Sequence, residues 1–175
     1  MPTSKPDYDA EALYRELLGQ VRAGLDGVRD AAIVGIHSGG AWLAERLARD
    51  LDLGARLGSI DVSFYRDDYA KKGLHPDVKP THIRFPVDGA TIVLVDDVLQ
   101  TGRTVRAAIN VLFDYGRPAA IRLAALADRG GRELPVAADF VGTRATLGPN
   151  QSLSLQRDDA GQLSLTIEED TAAHA

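Results

Sequence analysis

Three stretches of the chain are apolar with almost no alternation: Ala31–Ile36, Ile92–Val95 and Ile121–Ala127. Between Ile92 and Val95 three of the four side chains are β-branched. Such runs predict strands buried on both faces, as in a parallel sheet. Arg56–Tyr65 alternates instead, with Leu57, Ile60, Val62 and Phe64 set between polar residues, and predicts a further strand. Helical spacing appears in three places. Leu13, Leu17, Leu18 and Val21 mark one face of a helix over Asp9–Leu25, capped by Asp7 or Asp9. Trp42, Leu43, Leu47 and Leu51 mark a second, and Val105, Ala108, Ile109 and Leu112 a third over Arg103–Tyr115. Gly116-Arg117-Pro118 stops that third helix. Ala138–Gly142 is short and apolar, and Ser152–Gln156 and Leu163–Ile167 flank an Asp158-Asp159-Ala160-Gly161 turn.

The order is βα units first, then a few strands. It predicts an α/β fold in one domain spanning 1–175. Its mostly parallel central sheet is flanked by helices, with a loop-rich hood over the carboxyl ends. Residues 1–7 are expected to be a loose arm and 168–175 a frayed tail. The segment of about 66–84 is charged, contains Gly73, Pro76 and Pro80, and keeps no apolar period. Structureless segments of that length in compact domains are commonly lids. Arg66, Lys71, Lys72, Lys79 and Arg84 would then close over an anionic ligand and keep water from it.

Composition narrows the class. With 45% apolar and 26% charged residues, the chain is that of an ordinary globular protein. It has no cysteine, which removes disulfides and thiolate metal sites and fits a cytoplasmic setting. No apolar stretch is long enough to span a membrane. A net charge of −5 argues against indiscriminate nucleic-acid binding, though not against a local basic face.

The chemistry concentrates in Ile92–Thr104. A buried strand runs into Asp96 and Asp97, then Val98, Leu99, Gln100, Thr101, Gly102, Arg103 and Thr104, and a helix follows at once. The first turn of a helix has unpaired N–H groups and the positive end of the dipole, which favour a phosphate. Thr101 and Thr104 add hydroxyl donors, and Gly102 allows close backbone approach. The two carboxylates lie where open α/β sheets bind ligands, and can accept from sugar hydroxyls or a hydrated Mg²⁺. A P-loop is a poor rival, because no Lys follows the glycine in the required place. A second strand, glycine-rich turn and helix occurs at His37-Ser38-Gly39-Gly40, again a geometry that presents N–H groups to an anion.

The pattern of two apolar residues, two acids and Thr-Gly-x-Thr resembles the type I phosphoribosyltransferases, which bind 5-phosphoribosyl-1-pyrophosphate (PRPP). Ile60–Asp68, Val95–Ala107 and Asp128–Pro135 together resemble one family more narrowly. That family is the bifunctional pyrimidine operon attenuation regulators and uracil phosphoribosyltransferases. The resemblance implies a type I phosphoribosyltransferase fold and the Mg²⁺-dependent reaction of uracil with PRPP to give UMP and pyrophosphate. It implies that Asp96 and Asp97 hold the ribose hydroxyls and that Gln100–Thr104 hold the 5′-phosphate. His37, Ser38, Gly39, Gly40 and Arg66 would hold pyrophosphate. The base would lie near Val98, Leu99, Phe140 and Val141, with Asp128, Arg129 and Arg132 bordering the site. No protein side chain is expected to ligate Mg²⁺ directly, the ion arriving mainly with PRPP.

The family also implies a pyrimidine-operon leader mRNA as partner, UMP as signal and a homodimer or higher assembly, with the first helix and Trp42 as candidate contacts. Arg103, Arg106, Arg117, Arg122, Arg129, Arg132 and Arg144 are the candidate basic face. Two positions depart from the family's better-known members, which carry Lys-Thr-Arg-Gly at His37–Gly40 and commonly Tyr at Gln100. The alternatives are a nucleotide sensor without catalysis and a phosphoribosyltransferase without RNA binding.

Overall fold

The computed structural model describes residues 8–63 and 81–170. The arm 1–7, most of the expected lid with Arg66, Lys71, Lys72 and Lys79, and the last five residues lie outside the described residues.

The first helix, α1 (Ala10–Gly24), begins at Asp9, whose carboxylate accepts the Ala12 N–H at 3.1 Å. Its buried stripe is Ala10, Tyr14, Leu17 and Val21, rotated from the expected face: Leu13 and Leu18 only flank the core. Tyr14 wins a buried place because its hydroxyl donates to Asp50 at 2.5 Å. Burial pushes that hydroxyl's pKa up, and the bond to Asp50 adds to the shift.

Strand β1 (Ala31–Ile36) is buried along its whole length. It is followed by α2 (Gly39–Asp50), a short 3-10 turn, β2 (Leu57–Ile60), β3 (Thr91–Leu99), α3 (Arg103–Tyr115), β4 (Ala120–Asp128) and β5 (Phe140–Arg144). The five strands form one sheet in the order β2-β1-β3-β4-β5, every neighbouring pair parallel. Alternation along each strand feeds two cores. Ile33, Val93, Val95, Ala124 and Leu126 pack under α1 and α2. Ala32, Val34, Ile92, Leu94 and Ala125 pack under Val105, Ala108 and Leu112 of α3.

The last strands, β6 (Gln151–Arg157) and β7 (Leu163–Glu169), pair as a separate antiparallel hairpin. Leu155, Leu163 and Leu165 seat it on the α1–α2 side, and Tyr8 bridges to Leu165. The Arg157 guanidinium lies 4.9 Å from the centroid of Trp42 and 3.6 Å from Glu45. Trp42 and the apolar stripe of α1, the expected subunit contacts, are thus engaged within the chain.

Two boundaries differ from expectation. Glu168 and Glu169 belong to β7, paired with Ser152 and Gln151, rather than to a frayed tail. His82, inside the expected lid, exchanges two 2.8 Å backbone hydrogen bonds with Ser59 on the outer edge of β2.

Candidate active site

The sheet order reverses between β1 and β3: β1 feeds α2 on one face and β3 feeds α3 on the other. In open α/β sheets this switch point, at the carboxyl ends, opens a crevice for ligands. Register shows how it opens. Pairing of β1 with β3 stops at Gly35 and Val95, whereas β3 stays paired with β4 as far as Leu99 and Asp128. Asp96 and Asp97 therefore continue the strand, Asp96 level with Ile36 at the end of β1 and Asp97 one step past it.

The turn after β1 fills that edge. The His37 N–H donates to the Ile60 carbonyl, which fixes the strand end, and the His37–Ser38 peptide is cis. The carbonyl of Ser38 accepts the Ala41 and Trp42 N–H groups, and no side chain caps α2. Gly39 and Gly40 then press on β3. A Cβ on Gly40 would stand 2.3 Å from the Val95 carbonyl oxygen, and one on Gly39 would stand 2.4 Å from Asp97 Oδ2.

Alternation separates the two carboxylates. Asp97 follows Val93 and Val95 onto the α2 face, against Gly39, while Asp96 follows Ile92 and Leu94 onto the α3 face. Asp96 is buried, and its Oδ1 accepts the Asp97 N–H at 2.9 Å. Asp97 Oδ1 accepts the Val98 N–H at 2.7 Å. Each carboxylate is oriented by the backbone that follows it, and Asp97 stands beside the start of α2.

Beyond them Gln100–Thr104 forms a tight cradle. Gly102 has φ +92°, a left-handed conformation that favours glycine, and a Cβ there would meet Val136 at 2.5 Å. Thr101 is buried, and its hydroxyl accepts the Arg103 N–H at 3.2 Å. Gly102, the N-cap residue, has no side chain; the Thr101 hydroxyl takes the Arg103 N–H instead, and the rest of the first turn of α3 carries the dipole. Arg103 pairs with Glu133 at 3.3 Å on the surface.

The Asp128–Val136 loop supports this cradle from below. The N–H groups of Glu133 and Leu134 both donate to the Thr101 carbonyl, at 2.9 and 3.1 Å. The Arg129 N–H donates to the Leu99 carbonyl at 3.0 Å. Asp128 is buried at the end of β4 and accepts Arg132 at 2.7 Å and the Gly130 N–H at 3.0 Å, with Arg144 3.9 Å away. Burial opposes ionisation of this carboxyl; the Arg132 and Gly130 hydrogen bonds and the two guanidinium charges outweigh it, so its pKa is lowered. The sign follows from linkage: a depressed folded pKa stabilises the protein above the unfolded value of about 3.8, and that stability is lost as pH falls further. The gap in thermal midpoint between the wild type and Asp128→Asn should be full at neutral pH and shrink below about pH 4. A gap constant across the acid range would contradict this.

The four expected base-site residues divide. Val98 and Leu99 lie at the carboxyl edge, Leu99 level with Asp128 and Arg144, but only Val98 is partly exposed: the Leu99 side chain, expected at the base, is buried in the core under α3. Phe140 does not reach it. It is level with Ala124 and Val95, buried, with its ring against Gly24 at the end of α1. Val141 has its backbone N–H and carbonyl both bonded to the Gln20 side chain, at 3.0 and 2.9 Å. Both are turned to α1, because β5 is the sheet edge and α1 covers it. Gln20 was missed by sequence reasoning; the one available signal was an amide three residues from both Leu17 and Ala23 on a helix that is otherwise apolar inward.

Of the candidate basic face, Arg122 donates to the Gly24 carbonyl and Arg132 is turned inward. Arg103, Arg106 and Arg117 are exposed, as is the side chain of Arg144. Among the described residues no group of three or more His, Cys, Asp or Glu is arranged to hold a metal ion. The hard oxygen donors of Asp96 and Asp97 suit Mg²⁺ that already carries phosphate and water ligands. Among the described residues no helix is long and apolar enough to cross a membrane.

The chain matches the family model described as "Phosphoribosyl transferase domain" over residues 8–152. It is 55% identical over 156 residues to the "Bifunctional protein PyrR" of Ralstonia nicotianae, covering 87% of this chain and 88% of that one. It is 52% identical over 129 residues to the protein of the same name from Pseudomonas aeruginosa, covering 74% and 76%. Its fold is similar to the hypoxanthine phosphoribosyltransferase of Trypanosoma cruzi, with a TM-score of 0.66 at 19% identity over 95% of this chain and 97% of that one. A strand-borne acid pair at the switch point, two helix starts whose N-cap residues make no side-chain hydrogen bond and these likenesses agree: the chain belongs to the phosphoribosyl transferase domain family and stands within it among the bifunctional PyrR proteins.

Proposed function

We propose that this protein transfers the phosphoribosyl group of PRPP to uracil, giving UMP and pyrophosphate, and that UMP-bound protein regulates pyrimidine genes by attenuation on their leader mRNA. The observation that carries the catalytic reading is the packing of Gly39 and Gly40 onto Asp97 and Val95, which joins two anion-binding turns at one acid pair. The relatives' shared name supports the pyrimidine role.

In the reaction uracil N1 bonds to the anomeric carbon as the carbon–oxygen bond to pyrophosphate breaks; the bond's electron pair leaves with pyrophosphate and the N1 proton passes to solvent. Positive charge develops on the ribose. The amides and hydroxyls of Thr101–Thr104 hold the 5′-phosphate, and the His37–Gly40 turn receives the pyrophosphate. Asp96 and Asp97 accept from the ribose hydroxyls and place negative charge beside the developing cation. Bound Mg²⁺ would supply neutralisation of the leaving group's charge. Uracil lies against Val98. None of these side chains acts as a covalent nucleophile; the work is orientation and electrostatics. Arg66 remains a candidate pyrophosphate contact outside the described residues.

The test is direct. Purified protein with uracil, PRPP and Mg²⁺ should form UMP. PRPP binding without UMP formation would leave the sensor reading in its place. For the RNA role, Arg103, Arg106, Arg117, Arg129 and Arg144 remain on the candidate face. Filter binding to the leader of its own pyrimidine operon should need UMP and fall steeply with salt. Equal binding to scrambled RNA would remove attenuation and leave the transferase.

A further inference from the structure

One guanidinium ties three chain segments together beneath the cradle. Arg132 donates from Nη2 to Asp128 Oδ2 at 2.7 Å, from Nη1 to the Gln100 carbonyl at 2.8 Å, and from Nε to the Val136 carbonyl at 2.8 Å. Asp128 closes β4, Gln100 opens the cradle, and Val136 is the residue whose side chain lies against Gly102. The Arg132 side chain is one-quarter exposed and its carboxylate partner only 8%. Such a commitment needs the planar fork of arginine, since a lysine ammonium is a point charge that cannot reach three divergent acceptors.

We propose that Arg132 is a positioning residue for the 5′-phosphate cradle: by holding the Gln100 peptide and the Val136 backbone to the buried Asp128 carboxylate, it sets the direction of the Thr101–Thr104 amides. This rests on reading Gln100–Thr104 as the phosphate site. The pyrophosphate turn at His37–Gly40 is anchored elsewhere, by Ile60 and by contact with β3. The three hydrogen bonds of Arg132 go instead to Asp128, Gln100 and Val136. The two anion sites should therefore respond differently to one substitution. Small displacements of a preformed site carry large penalties, so the effect at the cradle is expected to be tenfold or more, on the order of the losses known for misplaced binding groups.

Titration calorimetry on the full chain with ribose 5-phosphate, and separately with Mg²⁺-pyrophosphate, tests this. Arg132→Ala should weaken ribose 5-phosphate by about tenfold or more and leave pyrophosphate unchanged. Arg132→Lys, which keeps the charge beside Asp128 and carries the same comparison if the alanine variant does not fold, should not restore ribose 5-phosphate binding. Equal weakening of both ligands, full rescue by lysine, or no change in either would overturn the positioning role. Failure of the wild type itself to bind ribose 5-phosphate, with pyrophosphate still bound, would instead overturn the cradle reading and this inference with it.

Discussion

Asp97→Asn should lower the rate of UMP formation by roughly 100-fold or more while leaving the fold intact. The substitution is nearly isosteric, and an amide oxygen can still accept the Val98 N–H that Asp97 Oδ1 accepts at 2.7 Å. What disappears is a negative charge at the carboxyl edge of the central strand, beside the start of α2. Electrostatic groups aimed at a charge that grows in the transition state are worth about two to three orders of magnitude in kcat when removed singly. Asp96→Asn changes the carboxylate on the opposite face of the strand, which is buried and accepts the Asp97 N–H. The informative readout is kcat at saturating uracil and PRPP, with the thermal midpoint measured alongside. A rate within threefold of wild type at Asp97 would contradict the assigned role.

The second large effect contrasts Gly39→Ala with Gly40→Ala. The two positions are adjacent, and each gains one methyl group, yet different things stand in the way. At Gly40 the methyl would lie 2.3 Å from the Val95 carbonyl oxygen and 3.0 Å from the Asp96 Cα, both backbone atoms of the central strand. They cannot swing aside, so α2 must lift from the sheet. Overpacking of this kind costs about 1–3 kcal/mol or more. At Gly39 the methyl meets Asp97 Oδ2, Cβ and Cγ at 2.4 to 2.9 Å. Rotation of the carboxylate relieves the contacts with Oδ2 and Cγ but not the one with Cβ, so the cost falls mainly on the carboxylate's position, with a smaller backbone shift. Gly40→Ala should lower the thermal midpoint by several degrees, in line with the destabilisation per degree of domains this size. Gly39→Ala should keep more of its stability and reproduce most of the rate loss of Asp97→Asn. Loss of stability at Gly39 with full specific activity would break the proposed link between the turn and the acid pair.

Much of this arrangement is legible in the residues. A buried parallel strand needs apolar side chains on both faces, and Ala31–Ile36 and Ile92–Val95 have them. An acid pair directly after such a run can lie only at its carboxyl end. What escaped were features decided by distant partners. Carboxylates are poor strand formers, so the strand reads as ending at Val95; β4 runs alongside and holds the chain extended through Asp96 and Asp97 as far as Leu99. Phe140 reads equally as a pocket wall or as core, and Gly24, far away in the chain, makes room for its ring in the core. Tyr14 displaced Leu13 from the buried stripe because Asp50 offers its hydroxyl a partner. Arg132 sits in a charged loop that reads as solvated, and its inward turn depends on two carbonyl groups that no side-chain pattern announces.

The crystal structure of the UMP complex tests the account at its centre. The nucleotide's phosphate is expected within hydrogen-bond distance of the Thr101–Thr104 amides, with ribose hydroxyls on the Asp96 and Asp97 carboxylates and the base against Val98. UMP bound elsewhere, with the cradle and the acid pair untouched, would contradict it.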